Sequence, residues 1–262
     1  MQTKVARAVW VRVLFGAAFV VPLPALGAAA DDASSSSREA ALEITLKRTE
    51  SRDALLTLKA EDHEFLAIGI ATAGGVEPRG GVIVLADDGM TLSDPLPTAI
   101  RHVLSPSGWQ SLSLQMPLKA PISGTEGKHK DPVFCARLAA GFTYLSSKQV
   151  ARIVLVGLGP ALDRAFAYSK EGFPPSVVGL AGIGRWRTRP KENEFPTLDL
   201  VPSGDEVAVS AAARRQTAAT LVAASAYRQV VIEVPDGVFQ GGEAEAAKRL
   251  RGWVNQLSTT KS

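Results

Sequence analysis

The sequence predicts a doubly wound α/β domain: a mostly parallel sheet with an antiparallel hairpin at its N-terminal end and helices on both faces. Three observations lead there. Short apolar runs bounded by Gly, Pro and Asp read as fully buried strands, and from residue 82 onward they alternate with helix-period segments. Two strand-like runs stand ahead of that alternation and are separated only by Glu61-Asp62-His63. A single cysteine, Cys135, excludes an internal disulfide, so the domain rests on its apolar core.

The elements follow in order. Residues 54–59 and 64–71 form the hairpin. Arg79-Gly80-Gly81 leads into strand 82–86, which ends at Asp87-Asp88-Gly89. Pro95 to Leu104 has helical spacing, Gly108 to Gln115 is a strand closed by Pro117, and 121–130 is a polar loop. Phe134, Leu138, Phe142 and Leu145 give 133–148 one apolar helical stripe. Strand 152–156, helix 160–169, strands 176–183 and 197–201, helix 206–224, strand 229–234 and helix 243–257 complete the chain. Right-handed crossovers between parallel strands place a ligand edge at the strands' C-terminal ends.

The N-terminus reads as an export signal. Lys4, Arg7 and Arg12 precede a short apolar stretch, Val13 to Leu26, and the small residues of Ala25 to Ala30 suit cleavage. Residues 1–30 are therefore expected to leave, with 31–50 as a polar Ser-rich tether and 51–262 as one domain, periplasmic or secreted. The chain has 29 basic and 26 acidic residues. Three basic ones lie in the leader, so from Asp31 onward there are 26 of each sign. A neutral mature chain gives no reason to expect nucleic acid as partner. After cleavage no transmembrane segment is expected.

Residues 156–161 read Val-Gly-Leu-Gly-Pro-Ala directly after a strand. With the hairpin, the Gly-Gly-led strand and the acidic turn Ser203-Gly204-Asp205, this order of landmarks resembles the α/β-hydrolase fold. Glu77-Pro-Arg-Gly-Gly-Val-Ile-Val-Leu85, Gly108-Trp-Gln-Ser-Leu-Ser-Leu-Gln-Met-Pro117, Tyr227-Arg-Gln-Val230 and Lys248-Arg-Leu-Arg-Gly-Trp253 resemble, more narrowly, an uncharacterised branch of exported bacterial α/β-hydrolase-like proteins. The resemblance covers roughly residues 60 to 255.

The resemblance also assigns positions to the chemistry. The nucleophile of Gly-x-Ser-x-Gly falls on Gly159, which has no side chain. The base belongs after the last strand, where the resemblance implies an Asp-His pair and the chain has Asp236-Gly237; no histidine follows His129. The acid falls on Asp205, for which a helix N-cap is the competing role. Asp87 and Asp88 stand in the oxyanion loop, where their charge opposes a developing anion.

Other groups were weighed on the residues alone. Asp163 suits a helix N-terminus, and Cys135 sits among apolar residues as a core thiol. Asp87, Asp88, Asp205, Glu206 and Asp236 follow strands, as calcium ligands would, but without metal-site spacing, so no metal is assigned. Arg185, Trp186 and Arg187 offer cations and an aromatic face to an anionic ligand. Gly179 to Gly184 lacks a dinucleotide fingerprint, and no cofactor is expected. The reading is an exported protein with a degenerate triad that binds an envelope protein or a small ligand. The alternative is a serine- or cysteine-type ester hydrolase with a displaced catalytic set, and a third reading is an assembly component.

Overall fold

The computed structural model describes residues 26–52, 54–61, 63–86, 90–118, 131–168, 172–188, 195–221, 226–235 and 239–259. Eight strands form one sheet: β1 (Leu55–Ala60), β2 (His63–Ile70), β3 (Gly80–Leu85), β4 (Trp109–Leu114), β5 (Ile153–Leu158), β6 (Val177–Ile183), β7 (Thr197–Pro202) and β8 (Tyr227–Ile232). Their spatial order is β1-β2-β4-β3-β5-β6-β7-β8. The β1–β2 and β2–β4 pairs are antiparallel and every later pair is parallel. β3 and β5 are buried along their whole length, as expected of strands covered on both faces.

Six helices are described: α1 (Leu26–Thr49), α2 (Pro95–Leu104), α3 (Pro132–Ser147), α4 (Ala161–Tyr168), α5 (Glu206–Leu221) and α6 (Glu243–Thr259). Alternation of side chains along each strand divides the core in two. Val82, Val84, Val154 and Val156 point into a layer closed by Ile100 and Leu104 of α2 and Leu250 and Val254 of α6. Ile83, Leu85, Ile153 and Leu155 point the other way, to Phe134 and Leu138 of α3 and Ala161 and Ala165 of α4. Trp109 joins sheet to helix: it is buried, and its indole N–H donates to Asn255 of α6 at 3.0 Å.

The segment expected as a tether, residues 31–50, lies instead within helix α1. Its second half is docked, because Leu46 is buried beside Leu66 and Ile68 of β2. Two carboxylates supply the polar reason. Glu39 accepts from Arg137 of α3 at 2.8 Å and from the Leu118 N–H at 3.0 Å. Glu50, at the end of α1, faces the Arg101 guanidinium of α2 at 3.6 Å. Burial lowers the Arg101 pKa and Glu50 partly offsets that. Both arginines are buried, so leaving either without its carboxylate is costly. Residues 1–25, most of the segment expected to be an export signal, lie outside the described part.

If α1 is an integral part of the domain, Leu46→Ala should lower unfolding stability by about 2–5 kcal/mol. Glu39→Ala should lower it by roughly 1–3 kcal/mol. Urea titration of the two variants checks this, and unchanged midpoints would return the segment to the role of a tether.

Candidate active site

The C-terminal ends of β5, β6, β7 and β8 build one rim. β5 ends in Leu158 and the chain turns at Gly159-Pro160 into α4. Gly159 has φ of 56°, a left-handed conformation that favours glycine, and its N–H donates to Ile183 O at the end of β6 at 2.8 Å. A Cβ at Gly157 would stand 2.6 Å from the Leu162 backbone, so a strand-to-helix turn this tight admits no side chain there. A tight strand-to-helix turn thus stands where the resemblance expects the nucleophile, and its apex residue carries no side chain.

The next position matters as well, and the sequence reading overlooked it. In the Gly-x-Ser-x-Gly arrangement one oxyanion donor is the backbone N–H of the residue after the nucleophile. Here that residue is Pro160, which has no N–H to give. Its carbonyl still accepts the Arg164 N–H at 3.1 Å, so Pro160 serves the start of α4 rather than a site. The signal was legible in six letters, since proline forbids the bond whatever the fold does.

Asp205 follows β7 and is 4 % exposed. One carboxylate oxygen accepts the Val207 and Ala208 N–H groups at 3.1 Å each, which is an N-cap of α5, and the other accepts Arg185 Nε at 2.6 Å. Burial alone would raise the Asp205 pKa, but the Arg185 and backbone hydrogen bonds together outweigh it and hold the carboxyl below its usual value. The same contact raises the Arg185 pKa. Both carboxylate oxygens are therefore engaged. The adjoining Ser203 Oγ is hydrogen-bonded to Val234 N at 3.0 Å and Val234 O at 3.3 Å, which ties the acid turn to the loop after β8. Phe239 of that loop is buried and adopts φ of 54°, with its ring edge close to Gly184 after β6. Gly237, Asp236, Asp87 and Asp88 lie outside the described residues.

The Arg185-Trp186-Arg187 segment divides. Arg185 stays at the surface as the partner of Asp205. Trp186 does not offer a ligand-binding face, which corrects the sequence reading: it is 1 % exposed, and its ring lies under the Arg215 guanidinium, 4.1 Å from Cζ to the centroid. Arg187 is held by its backbone, whose N–H donates to Asp163 at 2.9 Å. Asp163 also accepts the Thr188 N–H and hydroxyl, both at 2.8 Å, so this first-turn carboxylate of α4 pins the rim loop.

Beneath that loop is a buried polar centre no local motif announced. Asp199, in the middle of β7, is fully buried. Its carboxylate accepts from Trp186 Nε1 at 2.9 Å, Arg215 Nε at 3.0 Å, Arg215 Nη2 at 2.8 Å, the Tyr227 hydroxyl at 2.5 Å and Gln229 Nε2 at 2.9 Å. Arg215 Nη1 donates to the Trp186 carbonyl, closing the ring of contacts. The Tyr227 pKa is raised, first by burial and then by the neighbouring Asp199 charge, which keeps the phenol a donor.

Of the three histidines, His63 and His102 are exposed on β2 and α2, and His129 lies outside the described residues. Cys135 is half-buried on α3. Among the described residues no three His, Cys, Asp or Glu side chains gather as metal ligands, and no helix is long and apolar enough to cross a membrane.

Solved structures share this architecture. An α/β serine hydrolase without a lid from Xanthomonas campestris superposes with TM-score 0.60 at 14 % identity, covering 82 % of this chain and 98 % of that one. An α/β serine hydrolase homologue from Coxiella burnetii gives TM-score 0.57 at 15 % identity over 78 % and 99 % of the two chains. The esterase domain of a Rhodothermus marinus protein gives 0.56 at 14 % over 77 % and 97 %. At these identities the likeness establishes the fold. A family described as "Protein of unknown function (DUF3530)" matches residues 19–132. No curated protein matches the sequence.

Two outcomes are expected. Asp199→Ala strands the buried Arg215 charge and should cost about 3–5 kcal/mol in urea unfolding; a loss under ~1 kcal/mol would show the centre to be dispensable. Asp205 has a folded pKa below its unfolded value of about 3.9, so its stabilisation is present above that value and is lost as pH falls through the folded pKa. The melting temperatures of wild type and Asp205→Asn should therefore differ at neutral pH and converge as pH drops below the carboxylate range.

Proposed function

Starting from an α/β-hydrolase fold whose nucleophile turn is kept in backbone and emptied in chemistry, we propose that this protein is a non-catalytic member of that fold. It is exported by its N-terminal leader and uses the rim of the former active site to hold a ligand or envelope partner. One observation carries the reading: Gly159-Pro160 at the apex of the turn. Acyl transfer needs an attacking atom and donors for the oxyanion. Gly159 lacks the first, and Pro160 lacks one of the second.

The magnitudes decide between a weak enzyme and none. Loss of a nucleophile costs on the order of 10⁶ in kcat in a well-studied serine protease, and loss of one oxyanion donor roughly 10²–10³. Asp205 has no base to orient, since the chain carries no histidine after residue 129, and its oxygens already serve α5 and Arg185. What the rim retains is suited to binding: an accessible turn at Gly159-Pro160, the exposed Arg185 and a loop pinned by Asp163. The esterase and hydrolase names of the structural relatives describe those proteins; here they supply the positions at which the residues are compared.

A displaced catalytic set is the competing idea, and the obvious candidates are hydrogen-bonded or half-buried. Ser203 is tied to Val234, and Cys135 is a half-buried thiol in the first turn of α3.

The expected result is that the full-length protein and the chain from Asp31 hydrolyse short-chain p-nitrophenyl esters no faster than buffer. Gly159→Ser alone should leave that unchanged, because neither a base nor the donor missing at Pro160 is restored. Turnover by the wild type that Asp205→Ala or a fluorophosphonate probe abolishes would overturn the proposal.

A further inference from the structure

The outer edge of the sheet carries a second, chemically different surface. β8 is the last strand of the sheet, and among the described residues no strand pairs with its outer edge. Its backbone therefore presents a row of amide and carbonyl groups outward. Beside it, α6 and β8 enclose a groove of about 300 Å³. Val230 and Trp253 supply its apolar floor, while Arg228, Lys248, Arg249 and Arg251 supply its walls, and among the described residues no carboxylate lines it. Glu245 pairs with Arg249 at 2.6 Å and reaches Lys248 at 3.8 Å, so one negative charge stands against four positive ones. Arg228 donates to a neutral group, Gln256, at 3.3 Å. Over Gly252 the groove is open, since a Cβ there would meet nothing within 4 Å.

The other face of the same strand adds an independent observation. Val231 is 53 % exposed, and alternation along β8 turns it away from Arg228 and Val230, toward the α5 side. An occupant of this edge thus meets cations over an apolar floor on one face and an uncovered valine on the other.

We propose that the β8 edge is a docking site for an extended acidic segment of a partner protein, added as a ninth strand. Its main chain would pair with β8. Its carboxylates on the α6 face would meet Arg228, Lys248 and Arg251, and an apolar side chain on the α5 face would cover Val231. Strand addition draws affinity from main-chain hydrogen bonds and specificity from alternate side chains, which matches this division of features. A second copy of the chain is disfavoured by charge. Joining two β8 edges about a two-fold axis normal to the sheet would bring both basic α6 faces together on the same side. A lone charge on an edge strand ordinarily deters pairing. Here three of the four cations sit on the helix alongside, where they leave the backbone row accessible. This site does not depend on the state of the elbow, which follows β5, three strands away in the sheet.

The test uses the full chain and labelled synthetic peptides alternating Glu with Val, followed by fluorescence anisotropy. The acidic peptide is expected to bind, to weaken by about tenfold or more with Arg228→Glu and with Lys248→Glu, and to weaken with added salt on the wild type. Lys148→Glu on α3 should change nothing. Amide exchange across Tyr227–Ile232 should slow on binding. Circular dichroism of each variant separates lost binding from lost folding, and the salt dependence needs no variant. The proposal is overturned if the acidic peptide does not bind. It is equally overturned if a Lys-for-Glu peptide or a backbone N-methylated acidic peptide binds as well. Displacement by dodecanoate without protection of the β8 amides would make the groove a small-anion site and sink the strand reading.

Discussion

A buried carboxylate at Asp199 organises the C-terminal third of the molecule. Taking a charge out of water costs several kcal/mol even after relaxation, so such a group persists only when its acceptor sites are filled. Asp199 fills them from four side chains on three different segments: Trp186 after β6, Arg215 on α5, and Tyr227 and Gln229 on β8. The requirement works in reverse as well. Each donor is held where Asp199 needs it, and so the loop carrying Arg185 is set in height above the sheet. Arg185 then meets Asp205, and Asp205 meets the first turn of α5. The rim geometry follows from a charge that never touches it.

The elbow shows two demands on one turn coming apart. Tight packing of β5 against α4 requires a small residue at Gly157 and a left-handed backbone at Gly159. Chemistry requires a hydroxyl and an N–H at the apex. Only the first pair of demands is met, and glycine at 159 meets the backbone demand with less strain than any nucleophile would, because a residue with a Cβ pays to occupy that region. Pro160 fits the same account: it pre-organises the start of α4, and its carbonyl accepts the Arg164 N–H.

Charge is distributed over the surface with comparable economy. Equal numbers of acids and bases from Asp31 onward conceal local asymmetry. At the N-terminal side, two glutamates of α1 neutralise two buried arginines and fasten the helix to the domain. At the β8 edge the cations outnumber the acids and face solvent. Net charge averages these away, which is why composition alone points to no surface.

Most of the architecture was legible in the chain. The alternation of apolar runs and helical stripes placed every strand and helix from residue 54 onward to within a few residues, because a covered parallel strand and an amphipathic helix each impose a local period on the sequence. The two glycines flanking Leu158, the proline after them and the lack of any later histidine are also local facts, and they bound the chemistry before any coordinate is known. What the sequence could not determine were pairings between distant side chains. Nothing in the string links Glu39 to Arg137, Glu50 to Arg101, or Asp199 to Trp186 and Arg215, so a docked helix read as a tether and a buried indole read as a ligand platform. Local pattern records which face of an element is apolar. Only the packed sheet decides which polar groups are carried inside with it, and there each must find a partner because water can no longer serve.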